Sequence, residues 1–166
     1  ETIQIPDLAK ELIEQVAFEA RNSDYVNAKR GVSARLTISA IENLFAAGKL
    51  RRIETGSKET SIRLVDFMSI IPSITGKIEL VYEGEQEGAY EVARTLIDTA
   101  VINQFEKLFP RIPKLEKKGI KTDYTDIIHW FNDNIMELNY SDTDNDFYQN
   151  LNSVPPLVEI TAKYAG

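Results

Sequence analysis

Apolar residues recur every three or four positions along most of this chain, the spacing of helices that each bury one face. Leu8, Leu12, Val16 and Ala20 repeat at every fourth position, with Pro6 and Asp7 marking a start and Asn22-Ser23-Asp24 an end. A second helix follows Gly31. Ser33 is its expected N-cap, and Ile38, Ile41 and Phe45 are its expected buried stripe. Lys49, Arg51 and Arg52 fall near its C-terminus, where cations complement the helix dipole. ETGSKET at 54–60 reads as a turn, 61–63 as a short strand or extended link, and Asp66 as the cap of a short helix ending near Pro72.

Glycines at 76, 84 and 88 and glutamates at 79, 83, 85 and 87 predict a turn and an exposed loop over 73–88. The longest helix is expected over 89–109, with Val92, Ala93, Leu96, Ile97, Ala100, Val101 and Leu108 on one side. PRIPKLEKKGIK is a loop by its prolines and lysines. Tyr124, Ile127, Ile128, Phe131 and Ile135 mark one face of a further helix, and two short helices are expected near 143–152 and 156–164. The predicted fold class is all-α, in two helical parts, 1–75 and 76–166.

Composition narrows the functional classes. The chain has 166 residues, 43% hydrophobic and 27% charged, as in an ordinary globular protein. Without cysteine it has no disulfide and no thiolate chemistry, and zinc is disfavoured. No apolar run approaches a membrane span of roughly 18 residues, and the acidic, amphipathic opening is no secretory signal. A cytoplasmic location is expected. The chain opens on Glu1 with methionines only at 68 and 136, which predicts a piece of a longer protein. Charge is uneven: 1–77 carry 11 Lys/Arg and 10 Asp/Glu, whereas 78–166 carry 8 and 16. Net charges of +1 and −8 argue against nucleic-acid binding by the second half.

Several motifs fail on their chemistry. TGK at 75–77 lacks the glycine of a phosphate loop at Ile71 and the hydroxyl residue at Ile78. DTDND at 142–146 alternates aspartates like a calcium loop. It has Phe147 where that loop needs glycine and Ser153 where it needs glutamate, so capping by Ser141 or Thr143 is the better reading. The single histidine, His129, falls away from its helix's apolar side and has no triad motif near it. Glu83, Glu85 and Glu87 read as a solvated acidic loop that could meet a partner.

One stretch keeps its chemistry. In KRGVSARLTISAIENL, 29–44, Arg35 stands in the first turn of a helix with Lys29 and Arg30 just upstream. A helix N-terminus already favours anions, so cations there turn to water or meet an anion. Two resemblances bear on this stretch. GVSARLTISAIENLFAAGKLRRIETGS resembles the recognition helix and wing of GntR-like winged-helix DNA-binding regulators, although LAKEL at 8–12 lies about twenty residues ahead of Gly31 rather than just before it. Gly31-Val32-Ser33-Ala34-Arg35 also resembles the G-x-S-x-R sensor 2 motif of AAA+ ATPases of the magnesium-chelatase and MoxR-like family. IIPSITGKIELVYEGEQEG at 70–88, the long helix after it and SVPPLVEITAKY extend that second likeness over nearly the whole chain.

The AAA+ resemblance implies a helical lid at 1–75 and a C-terminal helical extension at 76–166. It implies Arg35 as the sensor 2 arginine toward the γ-phosphate of ATP, with Gly31 turning the backbone and Ser33 capping the helix. ATP and Mg²⁺ would bind an N-terminal AAA+ core that lies outside this chain, since neither Walker motif is present. The implied partners are that core, neighbouring subunits of a ring-shaped homo-oligomer and a remodelled protein target, or a metal-insertion target. A helical interaction module independent of nucleotide is the alternative of a different class.

Overall fold

A computed structural model of the chain describes residues 2–27, 32–33, 35–111 and 122–165. These are mostly helical, as the periodicity predicts: eight α-helices, one 3₁₀ helix and a two-stranded sheet. They divide into two compact units, Glu1–Gln104 and Phe105–Gly166.

The first unit opens with β1 (Thr2–Gln4) and then α1 (Asp7–Asn22), for which Pro6 is the N-cap residue. Ala9, Leu12, Ile13, Val16, Ala17 and Ala20 are buried on α1. Leu8, expected to head that stripe, is 48% exposed, so the buried arc begins one residue later. α2 (Arg35–Glu54) shows the larger departure. Its buried face is Leu36, Ala40, Leu44, Gly48 and Arg51, whereas the expected stripe of Ile38, Ile41 and Phe45 is exposed. Both faces of α2 carry apolar residues, and shape decides between them. Small Ala40 and Gly48 let α2 lie close to its neighbours; a Cβ at Gly48 would sit 2.8 Å from Ile62 Cδ1 and 3.2 Å from Ile3 Cγ2.

After a turn at Thr55–Gly56, β2 (Glu59–Ser61) pairs in parallel with β1, Ile3 opposite Thr60. This is not the antiparallel two-stranded wing that the winged-helix likeness requires at 50–65. The 3₁₀ helix Leu64–Ile70 and α3 (Ile71–Thr75) pack on α2. Asp66 lies in the first turn of the 3₁₀ helix, where its Oδ2 accepts the Arg63 N–H at 2.8 Å, rather than at the cap.

The expected exposed loop at 73–88 is ordered instead. α3 ends at Gly76, the Val26 and Leu80 backbones form an antiparallel bridge, and EGEQEG forms most of α4 (Tyr82–Glu87), ended by Gly88 at φ 95°. Gly84 is buried because α4 lies on the Tyr25 backbone, so close that any Cβ would stand 2.5 Å from the Tyr25 carbonyl oxygen. α5 (Ala89–Leu108) contributes Val92, Ala93, Leu96, Ile97 and Ala100 to the same core as α1 and α2, while Leu108 is exposed. Residues 76–104 therefore belong with the first unit, and the compact division falls at 104/105 rather than at the expected 75/76.

The second unit holds the last turn of α5, α6 (Thr125–Asp133), α7 (Asp144–Asn152) and α8 (Pro155–Tyr164). Thr143 caps α7 by accepting the Asp146 N–H at 3.2 Å. Prolines 155 and 156 occupy the first turn of α8, where a missing N–H costs nothing. Phe105 stacks on Phe109 at 4.9 Å, and Tyr124 and Tyr164 extend the ring cluster. α6 is amphipathic, yet none of its residues is buried, and Ile135, expected on its face, lies beyond the helix, which ends at Asp133 with Asn134 extended.

Candidate functional site

The N-terminus of α2 is the site that the sequence singles out. Ser33 Oγ accepts the Arg35 N–H at 3.2 Å and its carbonyl oxygen accepts the Leu36 N–H at 2.9 Å. The serine thus satisfies donors that the helix start would leave open. Leu36, fully buried, fixes the first turn against the core. Its neighbour Arg35 is exposed, and among the described residues its guanidinium has no hydrogen-bond or ion-pair partner. The first turn holds no acidic side chain. The positive end of the helix dipole and a permanent, exposed cation therefore stand together, an arrangement suited to a phosphate. Gly31, Lys29 and Arg30 lie outside the described residues.

The rejected motifs behave as structural elements. Thr75-Gly76-Lys77 closes α3, its Gly76 N–H donating to the Pro72 carbonyl at 3.1 Å, so no amides there cradle a phosphate. In DTDND, Thr143 Oγ1 donates to Asp146 Oδ2 at 2.7 Å, completing the cap. His129 is exposed, and Glu83, Glu85 and Glu87 lie on α4. Among the described residues, no group of three His, Asp or Glu side chains is placed to hold a metal. None of their helices is long and apolar enough to cross a membrane.

Beyond these motifs, two ionic arrangements carry no sequence signal. Arg51, expected near the C-terminal end of α2 as a complement to the dipole, is buried, with side-chain exposures of 1% for itself and 0% for its partner Asp66. Its Nη2 donates to Asp66 Oδ2 at 2.8 Å and to the Ser61 carbonyl at 2.6 Å, and its Nη1 donates to Thr60 Oγ1 at 2.6 Å. One guanidinium thus ties α2, β2 and the 3₁₀ helix together near the C-terminal end of α2. The partners lie 9 to 15 residues away, beyond any helical or strand period. In the second unit, Asp123 accepts from Lys163 Nζ at 2.8 Å and from Tyr164 Oη at 2.9 Å. The Lys163 hydrogen bond, then that of Tyr164, holds the Asp123 carboxyl below its ordinary 3.8. The same bond to Asp123 pushes the Lys163 amine up. Burial, then the Asp123 charge, pushes the Tyr124 phenol up, and that phenol donates to the Pro110 carbonyl.

An open cleft of about 560 Å³ lies elsewhere in the first unit, lined by Glu19, Asn22, Asp24, Tyr25, Glu83 and Thr95 among others. Glu19 is already held there by Gln15 Nε2 at 2.6 Å and Asn103 Nδ2 at 2.7 Å. Arg35 does not line it. Comparison with protein-family models, curated proteins and solved structures gave no match to any of them.

Proposed function

We propose that this chain is the lid region of a AAA+ ATPase of the magnesium-chelatase or MoxR-like kind, and that it reports bound ATP to the rest of that machine. The observation that carries the reading is Arg35: exposed, in a capped first turn free of acidic side chains, beside the fully buried Leu36. A planar guanidinium offers two parallel donors to phosphate oxygens and stays charged at any physiological pH. Bound ATP supplies the negative charge that this helix end attracts. The residues present fit such a group, because the helix start provides positive potential and Arg35 can reach outward without breaking an internal ion pair.

Within the reading, Ser33 holds the helix start, Leu36 anchors it, and the Arg51–Asp66 pair keeps α2 rigid against β2 and the 3₁₀ helix. A phosphate contact on Arg35 would then move the first unit rather than bend one side chain. Mg²⁺, the phosphate cradle and the attacking water belong to a core outside this chain. Ring neighbours, a remodelled protein target and a cytoplasmic setting come with the family and are part of the proposal.

The test is Arg35→Ala, with Arg35→Lys beside it, in the full-length gene product. Losing a charge-assisted phosphate contact costs about 1.5–3 kcal/mol, which is roughly ten- to a hundredfold in ATP turnover. An exposed Arg→Ala change alters stability by only about 0.5 kcal/mol, so the melting temperature of the 166-residue chain should hold. Unchanged phosphate release by the alanine variant rejects the sensor role. A collapsed melting temperature assigns Arg35 to structure instead.

A further inference from the structure

The face of α2 that turns away from the core carries an ordered pattern. Within this one helix, Arg35–Glu54, Ile38, Phe45 and Ile53 stand 59%, 46% and 60% exposed. Glu42, Ala46 and Lys49 are exposed on the same face, and among the described residues Glu42 and Lys49 have no hydrogen-bond or ion-pair partner. The pattern is symmetric about the midpoint between Phe45 and Ala46. Three residues out from that centre come Glu42 on one side and Lys49 on the other, and four residues further come Ile38 and Ile53. Steps of three and four keep these positions on one side of a helix. The elements that touch α2 in the first unit hold its opposite side, where Leu36, Ala40, Leu44 and Gly48 are buried.

We propose that this stripe pairs two copies of the chain, α2 against α2 in antiparallel, about a two-fold axis at the midpoint between Phe45 and Ala46. Charge complementarity selects the occupant and its direction. An antiparallel two-fold reverses the order of residues, so each position meets its mirror position in the pattern. Glu42 then faces the second copy's Lys49, and this happens twice per dimer. Ile38 meets Ile53, and Phe45 fits beside the small Ala46. A parallel pair would instead set Glu42 on Glu42 and Lys49 on Lys49, which is unfavourable. The other exposed or half-buried charges of α2 do not oppose the antiparallel register. Arg52 falls opposite Ser39, Glu54 falls opposite Thr37, and Arg35 lies past the end of the second copy's α2. One helix pair is a small interface, under about 1,200 Å² in total, so the dimer is weak, with a Kd of roughly 10–100 μM. The inference does not rest on the nucleotide reading. A two-fold contact closes on itself, whereas the ring neighbours proposed above meet head to tail.

Sedimentation equilibrium of the whole 166-residue chain between about 5 and 500 μM spans that range. A reversible monomer–dimer equilibrium is expected. Glu42→Lys alone and Lys49→Glu alone each set like charges together at both symmetric positions and should weaken the dimer by about tenfold or more. An equimolar mixture of these two variants should restore it, because each chain then offers the charge that the other faces. The double variant Glu42→Lys with Lys49→Glu should restore it as well. Both positions are exposed, so the fold is expected to hold in every variant, which far-UV circular dichroism checks. A chain that stays monomeric throughout overturns the proposal. So do single variants that dimerise as well as the unaltered chain, which would put the contact elsewhere. A mixture and a double variant that both stay monomeric overturn it too, by removing the antiparallel register.

Discussion

Replacing Arg51 by methionine tests the arrangement that holds the first unit together. Methionine keeps a long apolar stem but offers no donor to Asp66, Thr60 or Ser61. The Asp66 side chain is 0% exposed, so water cannot replace what is lost, and it would keep the Arg63 N–H at 2.8 Å. Breaking one side of a buried ion pair costs about 3–5 kcal/mol, because the remaining charge stays desolvated. For a unit of about a hundred residues this lowers the melting temperature by about 12 °C or more. Adding Asp66→Leu to Arg51→Met removes the stranded charge, and most of the loss should return. A deficit of about 1 kcal/mol should remain for the uncapped Arg63 N–H. Calorimetry and urea unfolding followed by far-UV circular dichroism measure all three variants. If Arg51→Met alone costs under about 1 kcal/mol, the pair behaves as a surface contact, and the buried clamp does not exist in solution.

Gly84→Ala should destabilise by about 1–3 kcal/mol, because its Cβ meets the Tyr25 carbonyl, which already accepts the Val81 N–H at 3.0 Å and cannot swing away. Gly48→Ala meets the flexible end of Ile62 first and should cost less; equal losses in thermal melts would refute that ranking. For Asp123, a folded-state value below the ordinary 3.8 means that its stabilisation is full above 3.8 and is lost as pH falls through the depressed value. For Lys163, raised above its ordinary 10.5, the contribution is full below 10.5 and is lost as pH rises through the elevated value. The melting temperature should therefore fall less steeply on the acid side in Asp123→Asn than in the unaltered chain; acid limbs of equal slope in both proteins would contradict this.

Local signals in the sequence determined where the helices lie. Pro6 and Asp7, the long apolar repeat of α5, Thr143 and the paired prolines each act within one or two turns, and the helices start and end close to where those residues predict. Ser33 is legible as a cap for the same reason. Which face a helix buries is a different matter. α2 has apolar residues on both sides, so periodicity pointed to Ile38, Ile41 and Phe45, while the buried face is Leu36, Ala40, Leu44 and Gly48, with Gly48 admitting Ile3 and Ile62 at close range. The glutamate-rich run at 83–87 reads as a solvated loop from its charge; Glu83, Glu85 and Glu87 are exposed, but Gly84 lets the Tyr25 backbone approach and makes the run a helix. Arg51 was read from its place near a helix end, where cations suit the dipole. Only the meeting of α2, β2 and the 3₁₀ helix converts it into a buried clamp, because its partners Thr60, Ser61 and Asp66 come near through folding and share no period with it.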